Sequence, residues 1–267
     1  VSLFIKECDT KKMDITEFFG KYNYWGLTTV SLGNVVNSIL NIEKYVFSEK
    51  KYSLEEFNKL RINNFNSDNK FISKLKGNSL RYGLDEKNVI NLSNEIMNYM
   101  SNAVANNSIH NGKIKIGYSA PSYISHSIDQ KASFDGRKDN EPFIVHISSD
   151  IKGLAYTSLF NFAGKLNYTK NRFNGNVIDF IINPSFLENN IDKFTDFILL
   201  STKNNFFEMQ MNVVSSKTLI EARKNPKLYP NLIVRVWGFS AYFNDLPNNY
   251  KDLIIKRTIE SEEKYGQ

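Results

Sequence analysis

Three histidines and one cysteine are the first side chains to weigh for chemistry. His110, His126 and His146 lie 16 and 20 residues apart, with no i,i+4 pair and no cysteine beside them. That spacing lacks the close ligand pairs of zinc sites, so no metal is expected and the three are read as structural or surface histidines. Cys8 is the single cysteine, which excludes an internal disulfide and a cysteine-rich zinc or iron–sulfur site. Its neighbours Glu7 and Asp9 oppose the thiolate by like charge, so Cys8 is read as structural. The thirteen glycines form neither a P-loop nor a dinucleotide fingerprint. One of them stands apart: Gly238 sits inside Leu232-Ile-Val-Arg-Val-Trp-Gly-Phe-Ser-Ala-Tyr-Phe-Asn-Asp-Leu-Pro247, apolar on both sides. A lone glycine at a strand end is ordinarily a bulge or a close backbone approach.

The elements that would position these residues follow from periodicity. Gly33 to Phe47 carries apolar residues three and four apart and predicts a helix buried on most of its circumference. Ser53-Leu-Glu-Glu56 is a capping box that opens a second helix, 54–64. Asp85 is expected to cap a third, carrying Val89, Leu92, Ile96, Met100 and Val104. Ile114, Ile116 and Tyr118 then alternate with Lys113, Lys115 and Gly117 until Pro121 stops the run, as a short strand does. Further strands are expected at 143–147, 177–182, 207–214 and 232–237. Helices are expected near 154–165, 191–203, 217–224 and 248–264. This alternation is an α/β signature.

The segment around Gly238 has a likeness. Arg235-Val-Trp-Gly-Phe-Ser-Ala241 closely resembles the radical loop of the glycyl radical enzymes, the pyruvate formate-lyase-like family, whose usual form is Arg-Val-(Ala/Ser)-Gly-(Tyr/Phe)-(Ser/Thr). Met211 to Tyr229 resembles the family's strand–helix approach to that loop, Ala132-Ser-Phe-Asp-Gly-Arg137 its Asp-Gly-Arg turn, and 28–57 the helix pair before it. The similarity covers nearly the whole chain and corresponds to the C-terminal part of a full-length member. The loop and tail look more like the dehydratase, decarboxylase and C–N or C–S lyase branch than pyruvate formate-lyase itself.

The resemblance implies half of a ten-stranded α/β barrel with surrounding helices and a C-terminal radical loop. Residues 1–110 would be the helical part and 111–267 the α/β half-barrel, with the radical loop at 232–247 and a C-terminal helix at 248–264. Gly238 would store a backbone radical, installed by an activating enzyme that uses S-adenosylmethionine and an iron–sulfur cluster; this chain would bind no cofactor of its own. A side chain at Gly238 is expected to clash with neighbouring backbone and spoil planarity. Val236, Trp237 and Phe239 are expected to exclude water and oxygen, Arg235 to anchor the loop by hydrogen bonds, and Ser240 and Ala241 to complete it. Ser122, His126 and Asp135, on or beside strand-end loops, would line a substrate pocket or simply form turns.

Two departures stand out. Trp237 replaces the family's Ala or Ser, and 146–153 lacks the Ser-Pro pair that often precedes the corresponding glycine. Cys8 does not sit in the context of the family's catalytic cysteine. A cysteine-bearing N-terminal half or large subunit is therefore the expected partner, together with the activating enzyme and a small-molecule substrate, in anaerobic metabolism. The chain would be one part of a split lyase or a fragment, inactive alone, and its initial Val hints at the latter. A spare part for an oxygen-damaged enzyme and an inactive relic remain open. Charge narrows the rest: 34 basic against 28 acidic residues gives +6, but the lysines are scattered, which favours a solvated surface over nucleic acid. The longest uncharged window, Tyr22 to Ile42, is broken by Asn23, Asn34, Asn37 and Asn41 and does not read as a membrane span. No secretory signal opens the chain, so the default expectation is the cytoplasm.

Overall fold

The computed structural model describes residues 1–17, 22–109, 112–120, 122–151, 153–174, 177–205 and 208–265. His110, Pro121 and Phe207 lie outside them. The helices are α1 (Lys6–Lys11), α2 (Leu32–Ile42), α3 (Leu54–Ile62), α4 (Asn69–Lys76), α5 (Lys87–Val104), α6 (Tyr156–Gly164), α7 (Pro184–Asn189), α8 (Ile191–Ser201), α9 (Ser216–Lys224) and α10 (Asn248–Tyr265). The strands are β1 (Tyr24–Thr28), β2 (Ser108–Ile109), β3 (Gly112–Gly117), β4 (Arg172–Asn174), β5 (Val177–Ile182), β6 (Glu208–Val213), β7 (Ile233–Val236) and β8 (Phe239–Tyr242).

Strand β3 pairs in parallel with β1 and β4 and antiparallel with the short β2. A separate parallel pair joins β5 to β6, with Asp179 opposite Gln210 and Ile181 opposite Asn212. Strands β7 and β8 form an antiparallel hairpin. Strand β5 is buried on both faces, as parallel strands are. Its even residues Ile178, Phe180 and Ile182 join a core with Ile116, Leu159, Phe160, Phe162 and Val89. On the opposite face Ile181 joins a second core with Val234, Val236, Trp237, Phe243 and Ile254. Asp179 shares that second face, so the pleat aims a carboxylate at the β7–β8 hairpin.

Helix α2 and the π-helical turn Glu43–Ser48 that extends it fill the expected Gly33–Phe47 span. Its buried asparagines act as staples. Asn34 accepts from Ile144 N–H at 2.8 Å and donates to Asp135 at 2.6 Å. Asn37 accepts from Tyr82 N–H at 2.7 Å, and Asn41 donates to Leu75 and Phe134 carbonyls at 3.1 and 2.9 Å. The polar groups that count against a bilayer thus pin two loops to one helix face. Ser53 forms the expected capping box with Glu56.

Two local expectations fail. Asp85 does not cap α5, whose N-cap is Glu86 without a side-chain bond; Asp85 pairs instead with Lys165 at 2.5 Å. Residues 143–147 are not a strand: Phe143 N–H reaches Tyr123 and Ile147 N–H reaches Val177, but His146 sits at φ +46°, which breaks a ladder. Among the described residues, β1, β4, β8, α4 and α7 are elements that the periodicity did not announce.

Candidate active site at the hairpin tip

The hairpin register puts Val236 opposite Phe239, leaving Trp237 and Gly238 as the two-residue turn. Both have positive φ, +35° and +112°, the combination that two-residue hairpin turns of the I′ kind require. The two residues face opposite ways. Trp237 is only 2% exposed, whereas Gly238 is exposed and a Cβ added to it would meet no atom within 4 Å. The expected clash of a side chain with neighbouring backbone is therefore corrected: the site demands glycine for its φ, not for space. Val236 is fully buried, Ala241 half-buried, Ser240 exposed and Phe239 48% exposed. In this chain the tip is open on its Gly238 side.

The inward side is densely tied. Arg235 N–H donates to Asn212 Oδ1 at 2.7 Å and Asn212 Nδ2 donates back to the Arg235 carbonyl at 2.9 Å. Arg235 Nε donates to Gln210 Oε1 at 3.2 Å. Trp237 Nε1 donates to Asp179 Oδ2 at 3.2 Å, an oxygen that also accepts from the Arg257 guanidinium of α10. The Trp237 ring stands edge-on to Tyr123, with centroids 6.1 Å apart, and tilts against Tyr250 at 5.6 Å. Behind Tyr123, His146 Nδ1 is shared by the Tyr123 hydroxyl at 2.5 Å and the Ser119 hydroxyl. Burial, and then the Arg257 charge, push the His146 imidazole down to about 3, so it is neutral. Burial likewise raises the Tyr123 phenol.

Of the three pocket candidates, Asp135 lines a cleft of about 920 Å³ walled also by Arg137, Asp150, Tyr156, Asp179 and Arg257. Asp135 is buried and accepts from Asn34, from Ser133 Oγ at 2.5 Å and from Arg137 N–H at 3.2 Å; burial raises its pKa against these three donors. The Asp-Gly-Arg turn is closed by Gly136 N–H to Ser133 at 3.0 Å, with Gly136 at φ +95°. Ser122 and His126 do not wall this cleft. Ser122 is half-buried and its carbonyl accepts from His126 N–H, while the His126 side chain is exposed. Cys8 is buried on α1. Among the described residues no group of three His, Cys, Asp or Glu is placed to hold a metal, and no helix is long and apolar enough to cross a membrane.

Asp179, Arg257, Gln210, Asn212, Tyr123 and the neutral role of His146 escaped sequence reasoning. One signal was available: Asp179 is a charge inside Val-Ile-Asp-Phe-Ile-Ile, a run otherwise suited to complete burial.

Comparison with known proteins covers both halves of the chain. The glycine radical family model matches residues 148–244, and the pyruvate formate lyase-like model matches 1–123. A probable dehydratase, YbiW, of Escherichia coli (strain K12) is 29% identical, over 96% of this chain and 34% of its own length. The trans-4-hydroxy-L-proline dehydratase of Clostridioides difficile is 25% identical, over 98% of this chain and 34% of its own. The B12-independent glycerol dehydratase of Clostridium butyricum superimposes with a TM-score of 0.83 at 27% identity, over 96% of this chain and 33% of the enzyme. The chain thus spans about a third of the length of these relatives. The expected α/β architecture, covering part of the larger fold, is borne out.

Proposed function

This chain belongs to the glycyl radical enzyme family, and on that premise we propose that it is the radical-bearing portion of a dehydratase- or lyase-type enzyme, with the stored radical on Gly238. The observation that carries the reading is the hairpin tip: the glycine of Arg-Val-Trp-Gly-Phe-Ser lies at φ +112°, exposed, on a turn anchored from behind. Removal of one hydrogen atom from its α-carbon by a radical S-adenosylmethionine activating enzyme leaves an unpaired electron that spreads into both flanking amides, whose planarity and resonance favour the delocalised state. Arg235 and Val236 hold one strand of the turn, Trp237 its inward corner, and Phe239, Ser240 and Ala241 the other strand.

In turnover, a cysteine supplied by another part of the protein or by a partner chain gives its S–H hydrogen to the Gly238 α-carbon. The thiyl radical so formed takes a hydrogen from a small hydroxylated or carboxylated substrate and starts elimination or bond cleavage. The relatives' character as dehydratases and lyases supports this reaction class. Cys8 does not serve, being buried on α1. Ser122, His126 and Asp135 are proposed to contribute to substrate binding in the assembled enzyme, where alanine variants with unchanged kinetics would remove them from the site. The experiment is anaerobic electron paramagnetic resonance after incubation with a matching activating enzyme and S-adenosylmethionine, alone and with the cysteine-bearing part. A doublet that is lost in Gly238→Ala is expected. Silence in both settings, with the activating enzyme proven on another substrate, would end the enzyme reading.

A further inference from the structure

No described side chain packs where a Cβ of Gly238 would sit, since that space is empty to 4 Å. The glycine's orientation must come from its neighbours. On one side Phe239 is half in solvent. On the other, Trp237 sits at φ +35°, a backbone state that a bulky L-residue keeps only when surrounding structure imposes it. That structure is visible: Tyr123 edge-on, Tyr250 against the ring, and a hydrogen bond from the indole N–H to Asp179. Asp179 is buried and is held by Arg257, while its other oxygen has no hydrogen-bond partner among the described residues. The carboxylate is thus committed through a single atom, Oδ2, to both the arginine and the indole. The clamp joins three elements, β5, α10 and the hairpin turn, at the residue that shares a peptide bond with Gly238.

We propose that Trp237 is the positioning residue of the radical glycine. Its indole, tied to the buried Asp179–Arg257 pair, fixes the peptide plane on the N-terminal side of Gly238 and so sets the direction from which the α-carbon can be approached. Ala or Ser, the family's usual residues here, has no indole N–H to offer; this chain ties that corner of the turn by a side-chain hydrogen bond to a buried charge. The inference rests on Gly238 being the radical site.

Two measurements test it, with Trp237→Phe as the variant because it keeps an aromatic ring and deletes only the N–H donor and part of the ring area. The first is hydrogen exchange on the unactivated chain. Loss of a hydrogen bond to a carboxylate is expected to speed exchange of the amides of 236–240 by roughly tenfold or more, with β5 and β6 amides unchanged. The second is the anaerobic resonance spectrum of the activated protein, in which the variant's doublet is expected to be broadened and shorter-lived, reflecting a spread of amide orientations. Wild-type exchange rates in the hairpin of the variant, or equal acceleration throughout β5 and β6, would overturn the clamp. A doublet of identical line shape and lifetime would reduce Trp237 to an anchor without influence on the radical. A wild-type protein silent under a competent activating enzyme would instead overturn the radical reading itself, and the exchange contrast would then report only on turn architecture.

Discussion

Replacing Gly238 by alanine separates two demands that the hairpin tip places on one residue. The steric demand is small, because a Cβ at this position meets nothing within 4 Å. The conformational demand is real, because φ is +112°, a region L-residues enter at a cost of about 1–3 kcal/mol. With no clash to add, Gly238→Ala should cost that amount and no more, a fall in Tm of roughly 2–10 °C for a chain of this size. Had the site been filled, the loss would have been about 4–5 kcal/mol or above, the range reserved for overpacking and buried polar defects. The chemical demand is absolute: the variant should fold, retain its circular dichroism and show no doublet after treatment with the activating enzyme. Thermal denaturation and anaerobic paramagnetic resonance on one preparation read both. A variant that fails to fold would refute the open-tip geometry, and a persisting doublet would refute Gly238 as the radical site.

Other perturbations probe the seat of the turn. Arg257→Met strands the buried Asp179 carboxylate and should cost about 3–5 kcal/mol in denaturant unfolding, with Asp179→Asn added to it recovering much of the loss; a double variant as unstable as the single would dismiss the pairing. His146 is held down to about 3 in the folded chain, while the unfolded chain binds the proton near 6.5. Stability should therefore fall as pH drops from about 6.5 towards 3, because the unfolded state takes up more protons in that window. His146→Gln should flatten this slope, and an unchanged slope would assign it to other groups. After activation, admission of oxygen should cut the backbone at Gly238 and release the residues from 239 to 267, a 29-residue piece, on a denaturing gel; an intact band from a sample whose doublet had been recorded would contradict the assignment.

The alternation of helices and strands was legible because most segments bury a periodic face, as α2, α5 and β3 do, or form a short apolar run, as β5 does. Strand β1 was hidden: Tyr24 to Thr28 lies within the same uncharged window as the helix that follows, so no change of period marks its end. The run 143–147 looked like a strand from its apolar residues, yet His146 enters a left-handed conformation to meet Tyr123 and Ser119, a tertiary choice that no local pattern encodes. The glycine proposed here as the radical site stood out through its neighbours in sequence. The tie through Trp237 did not, because Asp179 and Arg257 are 78 residues apart, and an arginine in the charged helix α10 reads as one more solvated side chain. Trp237 was visible as a departure from the family, but which way it pointed depended on the carboxylate waiting on β5.

A break at Gly238 would fall between two strands that remain hydrogen-bonded to each other. The longer product would end beside Trp237, still seated against Tyr123 and Asp179. The shorter would keep β8 on its ladder with β7, Phe243 and Ile254 in the shared core, and Arg257 clasping Asp179 across the cut. A chain scarred in this way would migrate as one particle under native conditions and would come apart only when unfolded. Damage would thus leave a nicked protein with its architecture in place, unable to hold a radical yet still occupying its position in any larger assembly.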